Sequence, residues 1–210
     1  MPAQSDVWYA AYGSNLDRAR FLCYITGGRP AGAARTYPGC RDTTVPVVES
    51  AMRIPHSLYF AGMSTVWGGG VAFVDTISAD LPRTYSRLYR ITWEQFTDVH
   101  SQDNWTGTTD TVVPTPAQMR SERVACVGSG WYDTLLYLGE HDGLPVLTFT
   151  AADRAGVGAL TPPTDAYVAT MARGLVESHG ISVAECASYV SAAPGARRSI
   201  DPDALAARLA

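Results

Sequence analysis

Residues 7–17, VWYAAYGSNLD, run from an apolar, aromatic-rich segment into a glycine turn and out again through residues that suit the start of a helix. Six consecutive apolar or aromatic residues ended by Gly13 read as a fully buried strand over 7–12. Asn15 or Asp17 can cap the helix that Arg18-Ala19-Arg20-Phe21 would begin, because either side chain can accept an orphan N–H of the first turn. The motif therefore reads strand, tight turn, helix start. Such a corner aims backbone N–H groups and the positive end of a helix at one spot, which favours a carboxylate or a developing oxyanion. Tyr12, Gly13, Ser14, Asn15 and Leu16 are accordingly expected to form the substrate-binding loop of a soluble enzyme.

Outward from this corner, residues 26–56 are rich in Gly, Pro, Arg and Thr and read mostly as loop, with a short strand near 45–48. Strands are predicted over 57–60, 65–74, 86–92, 124–126, 131–138 and 145–149, so the middle of the chain reads as a β-meander. Gly68-Gly69-Gly70 is poor strand material and predicts a bulge or a close backbone approach. A short helix over 93–101 would deliver His100, Ser101, Gln102 and Asp103 into a turn closed by Asn104. Pro163 with Thr164 or Asp165 opens a helix through Tyr167, Val168, Met171 and Leu175 toward Gly180. Ser182-Val183-Ala184-Glu185 is a capping box that opens another, and 202–209 suit a short terminal one. Residues 192–198 read as a surface loop. No repeat or linker divides the chain, and 210 residues suit one core better than two. The expectation is an α+β fold in a single domain over 1–210, β-rich over about 7–150 and helical over about 163–210.

Hydrophobic residues make up 46% and charged residues 17% of the chain, with a net charge of −4, which is ordinary globular composition. All sixteen basic residues are arginine, scattered along the chain. Without a basic cluster there is no footprint for nucleic acid. Without lysine there is neither a Schiff-base amine nor a Gly-Lys-Ser/Thr phosphate loop. No apolar span is long enough for a membrane, and residues 1–6 lack the basic-then-apolar pattern of a secretory signal, so a cytoplasmic location is expected. Cys23, Cys40, Cys126 and Cys186 lie far apart and read as reduced thiols. His56, His100, His141 and His179 form no closely spaced ligand pair with each other or with the cysteines, so no metal is expected.

Among groups that could do chemistry, Ser14 and Ser129 lie in glycine-containing turns but match no nucleophile elbow. Ser14 suits binding better than attack. Cys186 reads as a small core residue. Asp103 follows a predicted helix end, in aromatic surroundings supplied by Phe96 and Trp105, where a carboxyl pKa can be raised into a useful range. The alternative for Asp103-Asn104 is an everyday turn. Glu94, Asp98 and Glu140 read as helix-face or turn charges, and Glu49 as a loop residue. Tyr137 and Tyr167 could orient a substrate or simply pack in the core.

Tyr12-Gly13-Ser14-Asn15-Leu16, directly after an N-terminal apolar strand, resembles the signature of the γ-glutamylcyclotransferase-like family. Further similarities are Val66-Trp67-Gly68 with Gly70-Val71-Ala72-Phe73, a short helix ending near Gln102-Asp103, and Pro163-Thr164-Asp165-Ala166-Tyr167 ahead of Gly174-Leu175. The resemblance implies a small mixed β-barrel with flanking helices. It also implies a cofactor-free reaction in which the α-amine of a γ-glutamyl compound attacks its own γ-carbonyl, releasing 5-oxoproline and an amine. The enzyme would hold the folded conformer, stabilise the oxyanion and move one proton. The Tyr12 to Leu16 loop and Tyr167 would grip the glutamyl moiety and Asp103 would shuttle the proton. The family usually has glutamate at that carboxylate and glycine where Asn104 stands. Aspartate is shorter by one methylene, roughly 1.3 Å, and a misplacement of that order can cost ~100-fold in rate. The alternatives are therefore an amide hydrolase or acyl transferase in the same pocket, or a non-catalytic small-molecule-binding protein. The partner expected is a γ-glutamyl or acyl-amine small molecule, with no nucleic acid and no membrane; homodimerisation is left open.

Overall fold

The computed structural model describes residues 5–31, 33, 35–81, 83–104, 113–153, 157–197 and 199–209. The strand read from residues 7–12 is β1 (Asp6–Ala11), and it lies inside a six-stranded sheet. Its neighbours are β5 (Thr84–Thr92), antiparallel, and β8 (Leu144–Thr150), parallel. Beyond these lie β2 (Glu49–Ile54) on one side, and β7 (Thr134–His141) then β6 (Val124–Cys126) on the other. A strand covered on both faces needs an unbroken apolar run, and residues 7–11 are each at most 4% exposed.

A separate two-stranded sheet pairs β3 (His56–Ser64) with β4 (Gly69–Ser78). Thr150 stitches it to β8, its hydroxyl accepting the Val74 N–H at 3.0 Å and donating to the Val74 carbonyl at 2.7 Å. Among the described residues the strands thus form two sheets and no closed barrel, and the α+β class stands while the barrel expectation is corrected. Nor is the middle a meander: β2 pairs with β5, and the β3–β4 hairpin is nested between them in sequence.

Several strand boundaries also differ from expectation, two of them for a local reason. Residues 45–48 carry three valines but also Pro46, which cannot donate to a ladder; the strand starts at Glu49 instead, and Val47 is 88% exposed. Residues 65–68 are the turn between β3 and β4. The close backbone approach expected at the triple glycine is present. A Cβ on Gly69 would lie 2.9 Å from the Pro162 carbonyl oxygen, and one on Gly70 would overlap the Thr161 carbonyl, where the segment leading to the fourth helix crosses β4. Opposite this point the β3–β4 register shifts between Ala61 and Ser64.

The helices are α1 (Arg18–Thr26), α2 (Trp93–Asp103), α3 (Pro116–Glu122), α4 (Asp165–His179), α5 (Val183–Ala192) and α6 (Pro202–Leu209). Asp17 caps α1, Thr164 caps α4, and the Ser182–Glu185 capping box opens α5. The unforeseen α3 opens with proline at its first turn and a Thr115–Gln118 capping box. One core cluster joins Tyr9, Phe21, Tyr24, Tyr89, Phe96 and Phe149 beneath α1 and α2. Another joins Tyr12, Leu16, Phe60, Phe73, Tyr167 and Met171 between the β3–β4 sheet and α4. The turn after β1 therefore sits where two cores meet, and its Leu16 is fully buried. Truncating such a leucine costs about 2–5 kcal/mol, which holds the corner in place from within.

Candidate active site

After β1 the chain makes a single 3-10 turn over Ser14–Leu16, closed by the Leu16 N–H donating to the Gly13 carbonyl at 3.0 Å. The Asp17 carboxylate then accepts the Arg20 N–H at 3.0 Å and meets Arg173 of α4 at 2.8 Å. The carbonyls of the turn are tied toward β5: Tyr89 Oη donates to Asn15 O at 3.0 Å, and Arg87 Nη1 to Leu16 O at 3.2 Å. Glu49 and Glu177 fix the buried Arg87 guanidinium, and Glu49, expected in a loop without context, also pairs with Arg18. Tyr12 leaves the turn in the other direction, donating its hydroxyl to Phe149 O at 2.7 Å.

Tyr167, from the first turns of α4, fills the angle of this corner. Its hydroxyl accepts the Ala72 N–H at 3.0 Å. A Cβ on Gly13 would lie 2.8 Å from that oxygen. Only glycine at position 13 leaves room for the phenol. With the Ala72 amide held on its oxygen, the Tyr167 O–H is placed to act as a donor to a further group. Burial raises its pKa to about 12, with the amide donors opposing the rise, so it stays protonated at neutral pH.

Asp103 reaches the same corner as the last residue of α2, two residues beyond the predicted end of that helix. Tyr24 Oη donates to its Oδ1 at 2.6 Å and Asn15 Nδ2 to its Oδ2 at 3.4 Å. Although shorter than a glutamate, the side chain still touches the loop. Burial pushes the Asp103 carboxyl up to about 6, against the opposing effects of Tyr24, Arg20, Arg35 and Asn15. The aromatic surroundings differ from those expected. Trp105 lies outside the described residues, and Phe96 packs on Tyr9, Trp93 and Phe149. The rings that line the cavity and recess with Asp103 are mostly phenols, Tyr9, Tyr12, Tyr24, Tyr132 and Tyr167 among them, together with Trp67, Trp131 and Phe149.

The cavity between the turn, α2 and the β3–β4 turn is about 60 Å³, lined by Ser14, Arg20, Tyr24, Trp67, Asp103 and Tyr167 among others. A smaller recess of about 30 Å³ shares Ser14, Asp103, Tyr132 and Tyr167 with it and reaches Tyr9 and Asn15. A groove of about 600 Å³ continues past Arg20, Val66 and Trp67. A carboxylate neighbour requires Asn15 to present Nδ2, so its Oδ1 points the other way. Among the described residues that Oδ1 has no hydrogen-bond partner, and neither has Arg20 Nε.

Several of these groups carried no sequence signal: Arg87, Tyr89, Tyr132 and Trp131 come from strands and turns remote in sequence. Arg20 and Tyr24 did carry one, because residues four apart on a helix share a face. Asn104 takes a defined role at the end of α2. It donates to Tyr132 O at 3.0 Å and accepts the Tyr132 N–H at 2.9 Å, fixing the turn that brings Tyr132 into the cavity. The remaining candidates lie in other settings. Glu94 and Asp98 pair with Arg41, Glu140 pairs with Arg120, Arg123 covers the Tyr137 ring, Ser129 is an exposed turn residue and Cys186 is buried in the core. Among the described residues no three His, Cys, Asp or Glu side chains converge, and no helix is long and apolar enough to cross a membrane.

No family model matches the sequence. The structure is similar to a γ-glutamyl cyclotransferase over 98% of both chains, with TM-score 0.53 and 13% identity. It is also similar to an uncharacterized protein from Homo sapiens over 90% of this chain and 89% of that one, with TM-score 0.51 and 14% identity. The chain has the γ-glutamyl cyclotransferase-like fold. In sequence it is 37% identical over 206 residues to histone deacetylase 5 of Arabidopsis thaliana, a match covering 91% of this chain and 31% of that protein. The chain thus spans about a third of the length of the curated relative, whose name describes the longer protein.

Proposed function

We propose that this chain is a γ-glutamylcyclotransferase-like enzyme, cleaving a γ-glutamyl amide by intramolecular attack to release 5-oxoproline and an amine without a cofactor. The observation that carries the reading is the convergence, at one cavity, of the Tyr12–Leu16 corner, the proton-donating Tyr167 phenol and a carboxyl whose pKa is near 6.

In this reading the glutamyl moiety lies in the cavity against Ser14 and Asn15, with the unpartnered Asn15 Oδ1 accepting one of its N–H groups. The α-amine forms a bond to the γ-carbon. Tyr167 donates to the oxygen on which charge develops, and the ionised Asp103 takes a proton from the attacking nitrogen. The tetrahedral carbon then expels the other nitrogen, which receives that proton from Asp103. One C–N bond forms, one breaks, and the carboxylate is regenerated. A carboxyl with a pKa about one unit below neutral is mostly a base at pH 7 yet a strong enough acid partner for the return step. The leaving amine extends toward the groove beyond Arg20 and Trp67. Four free cysteines fit the proposed cytoplasmic setting.

The finer alternatives share this cavity: water or a second amine as attacking group gives hydrolysis or acyl transfer, and retention without turnover gives a binding protein. Incubation with a panel of γ-glutamyl amines and peptides, followed by mass spectrometry, separates them. The reading expects 5-oxoproline. Free glutamate would move the assignment to a hydrolase, and tight binding without product to a binding protein.

A further inference from the structure

The strongest bond to the candidate acid/base comes from a residue that neither the loop motif nor the proposed reaction requires. Tyr24 Oη lies 2.6 Å from Asp103 Oδ1, whereas the loop's own donor, Asn15 Nδ2, is 3.4 Å from Oδ2. The two carboxylate oxygens are therefore unequal. Oδ1 is held in the short bond and Oδ2 in the longer one, to a side chain that lines the recess.

Tyr24 is itself held from several sides. Its hydroxyl is 3.2 Å from Tyr37 Oη, and Arg20 Nη2 donates to Tyr37 Oη at 2.7 Å and to Tyr24 Oη at 3.4 Å. The two phenol rings lie 4.2 Å apart, and the Arg20 guanidinium sits 4.8 Å over Trp67. The Tyr24 carbonyl accepts Gln102 Nε2 at 3.0 Å, so the residue preceding Asp103 locks the backbone of α1 to the end of α2. This arrangement fixes the donor and its carboxylate in one frame.

We propose that Tyr24 is a positioning residue for the proton transfer: its phenol pins Oδ1 of Asp103, leaving Oδ2 to exchange the proton, with Arg20 and Tyr37 orienting the phenol. The proposal rests on the cyclotransferase-like reading for the reaction served, but its effect on Asp103 is independent of that reading. The groups facing Asp103 are Arg20 and Tyr24 of α1, Arg35 and Tyr37 of the following loop, Tyr9 of β1, Tyr12 and Asn15 of the corner, Tyr132 ahead of β7 and Tyr167 of α4. Of the donors bonded to the carboxylate, Tyr24 is the largest opponent of burial. A hydrogen bond to an ionised group lowers the titration midpoint of a carboxyl by roughly one to two pH units.

The test is Tyr24→Phe, with Tyr37→Phe as a milder companion that leaves the Tyr24–Asp103 bond in place. Carboxyl-carbon NMR of Asp103 in the intact protein should show its midpoint rising from about 6 by roughly one unit in Tyr24→Phe and by less in Tyr37→Phe. With a turned-over γ-glutamyl substrate, the acidic limb of the kcat/KM profile should move up with it, and activity should recover at higher pH. An Asp103 midpoint unchanged in folded Tyr24→Phe overturns the proposal. So does a loss of kcat equal at every pH, the mark of a merely structural role. If the wild-type protein turns over no γ-glutamyl compound, the cyclotransferase reading fails, and the NMR midpoint alone decides whether Tyr24 governs the carboxyl.

Discussion

Asn15 and Asp103, 88 residues apart in sequence, meet at 3.4 Å, joining the turn after β1 to the last residue of α2. The contact brings a backbone corner and a titratable carboxyl to one recess, and it is made by a side chain that also reaches Tyr9 Oη at 3.2 Å. Asn15 thus measures the distance between the two halves of the site. Tyr12, Gly13, Ser14 and Tyr167 border the same recess.

The fit between Gly13 and Tyr167 gives a double-variant prediction. Gly13→Ala places a Cβ 2.8 Å from the Tyr167 oxygen, an overlap that should destabilise by about 1–3 kcal/mol. Tyr167→Phe alone leaves the buried Ala72 N–H without its acceptor and should cost about 1–3 kcal/mol. Because the phenylalanine removes the atom the new methyl strikes, the double variant should lose at least about 1 kcal/mol less than the two losses added. Urea unfolding of the four proteins measures this; strictly additive losses would show that the close approach does not govern the corner.

Gly174 offers a sign that helix propensity alone gets wrong. In an exposed helix interior, Gly→Ala stabilises by about 0.5–1 kcal/mol. At Gly174, α4 packs directly on the backbone of the turn, and a Cβ would overlap the Leu16 carbonyl and the Asp17 nitrogen. Gly174→Ala is therefore expected to destabilise and to raise KM by displacing the loop. A higher unfolding midpoint in this variant would contradict the packing described.

The raised pKa of Asp103 also has a stability consequence. Below the ordinary carboxyl value of 3.8 the group is protonated whether folded or unfolded and costs nothing. The folded state holds its proton up to about 6, so the cost of ionising it in place grows between pH ~4 and ~6 and is constant above. Asp103→Asn removes that cost. The two-unit difference sets a ceiling near 3 kcal/mol, and partial exposure together with the lost charged hydrogen bond reduces the expected gain to about 1–2 kcal/mol at pH 7.5. Thermal unfolding should show the variant more stable than wild type at pH 7.5, with the difference shrinking to near zero at pH 4. A gain independent of pH would mean that Asp103 is not the group titrating.

What could be read from the sequence was what depends on local chemistry. The unbroken apolar run of β1, the caps at Asp17, Thr164 and Ser182, and the crowding at Gly69 and Gly70 each follow from a few adjacent residues. Sheet closure was misjudged because it depends on which strands pair: β2 joins β5 across the whole β3–β4 hairpin, a choice no local period encodes. The strand placed at 45–48 followed valine content and underrated Pro46. In the candidate site, the corner after β1 and the helix end near Asp103 follow from local sequence, whereas their meeting and the residues that support them do not. Tyr89 and Arg87 reach the loop carbonyls from β5, and Tyr132 arrives through a turn held by Asn104, all through tertiary contacts. The Arg20–Tyr24 spacing was visible, but its meaning depended on Tyr37 and Asp103 meeting it.

The most direct test of the account is 5-oxoproline release from a γ-glutamyl substrate by wild-type protein and by Asp103→Asn, compared at pH 7.5 under single-turnover conditions. Asparagine keeps the shape and cannot carry the proton, so the rate should fall by about 100-fold or more while substrate affinity changes little. Equal rates of 5-oxoproline release by both proteins would contradict the assignment of Asp103 as the group that moves the proton.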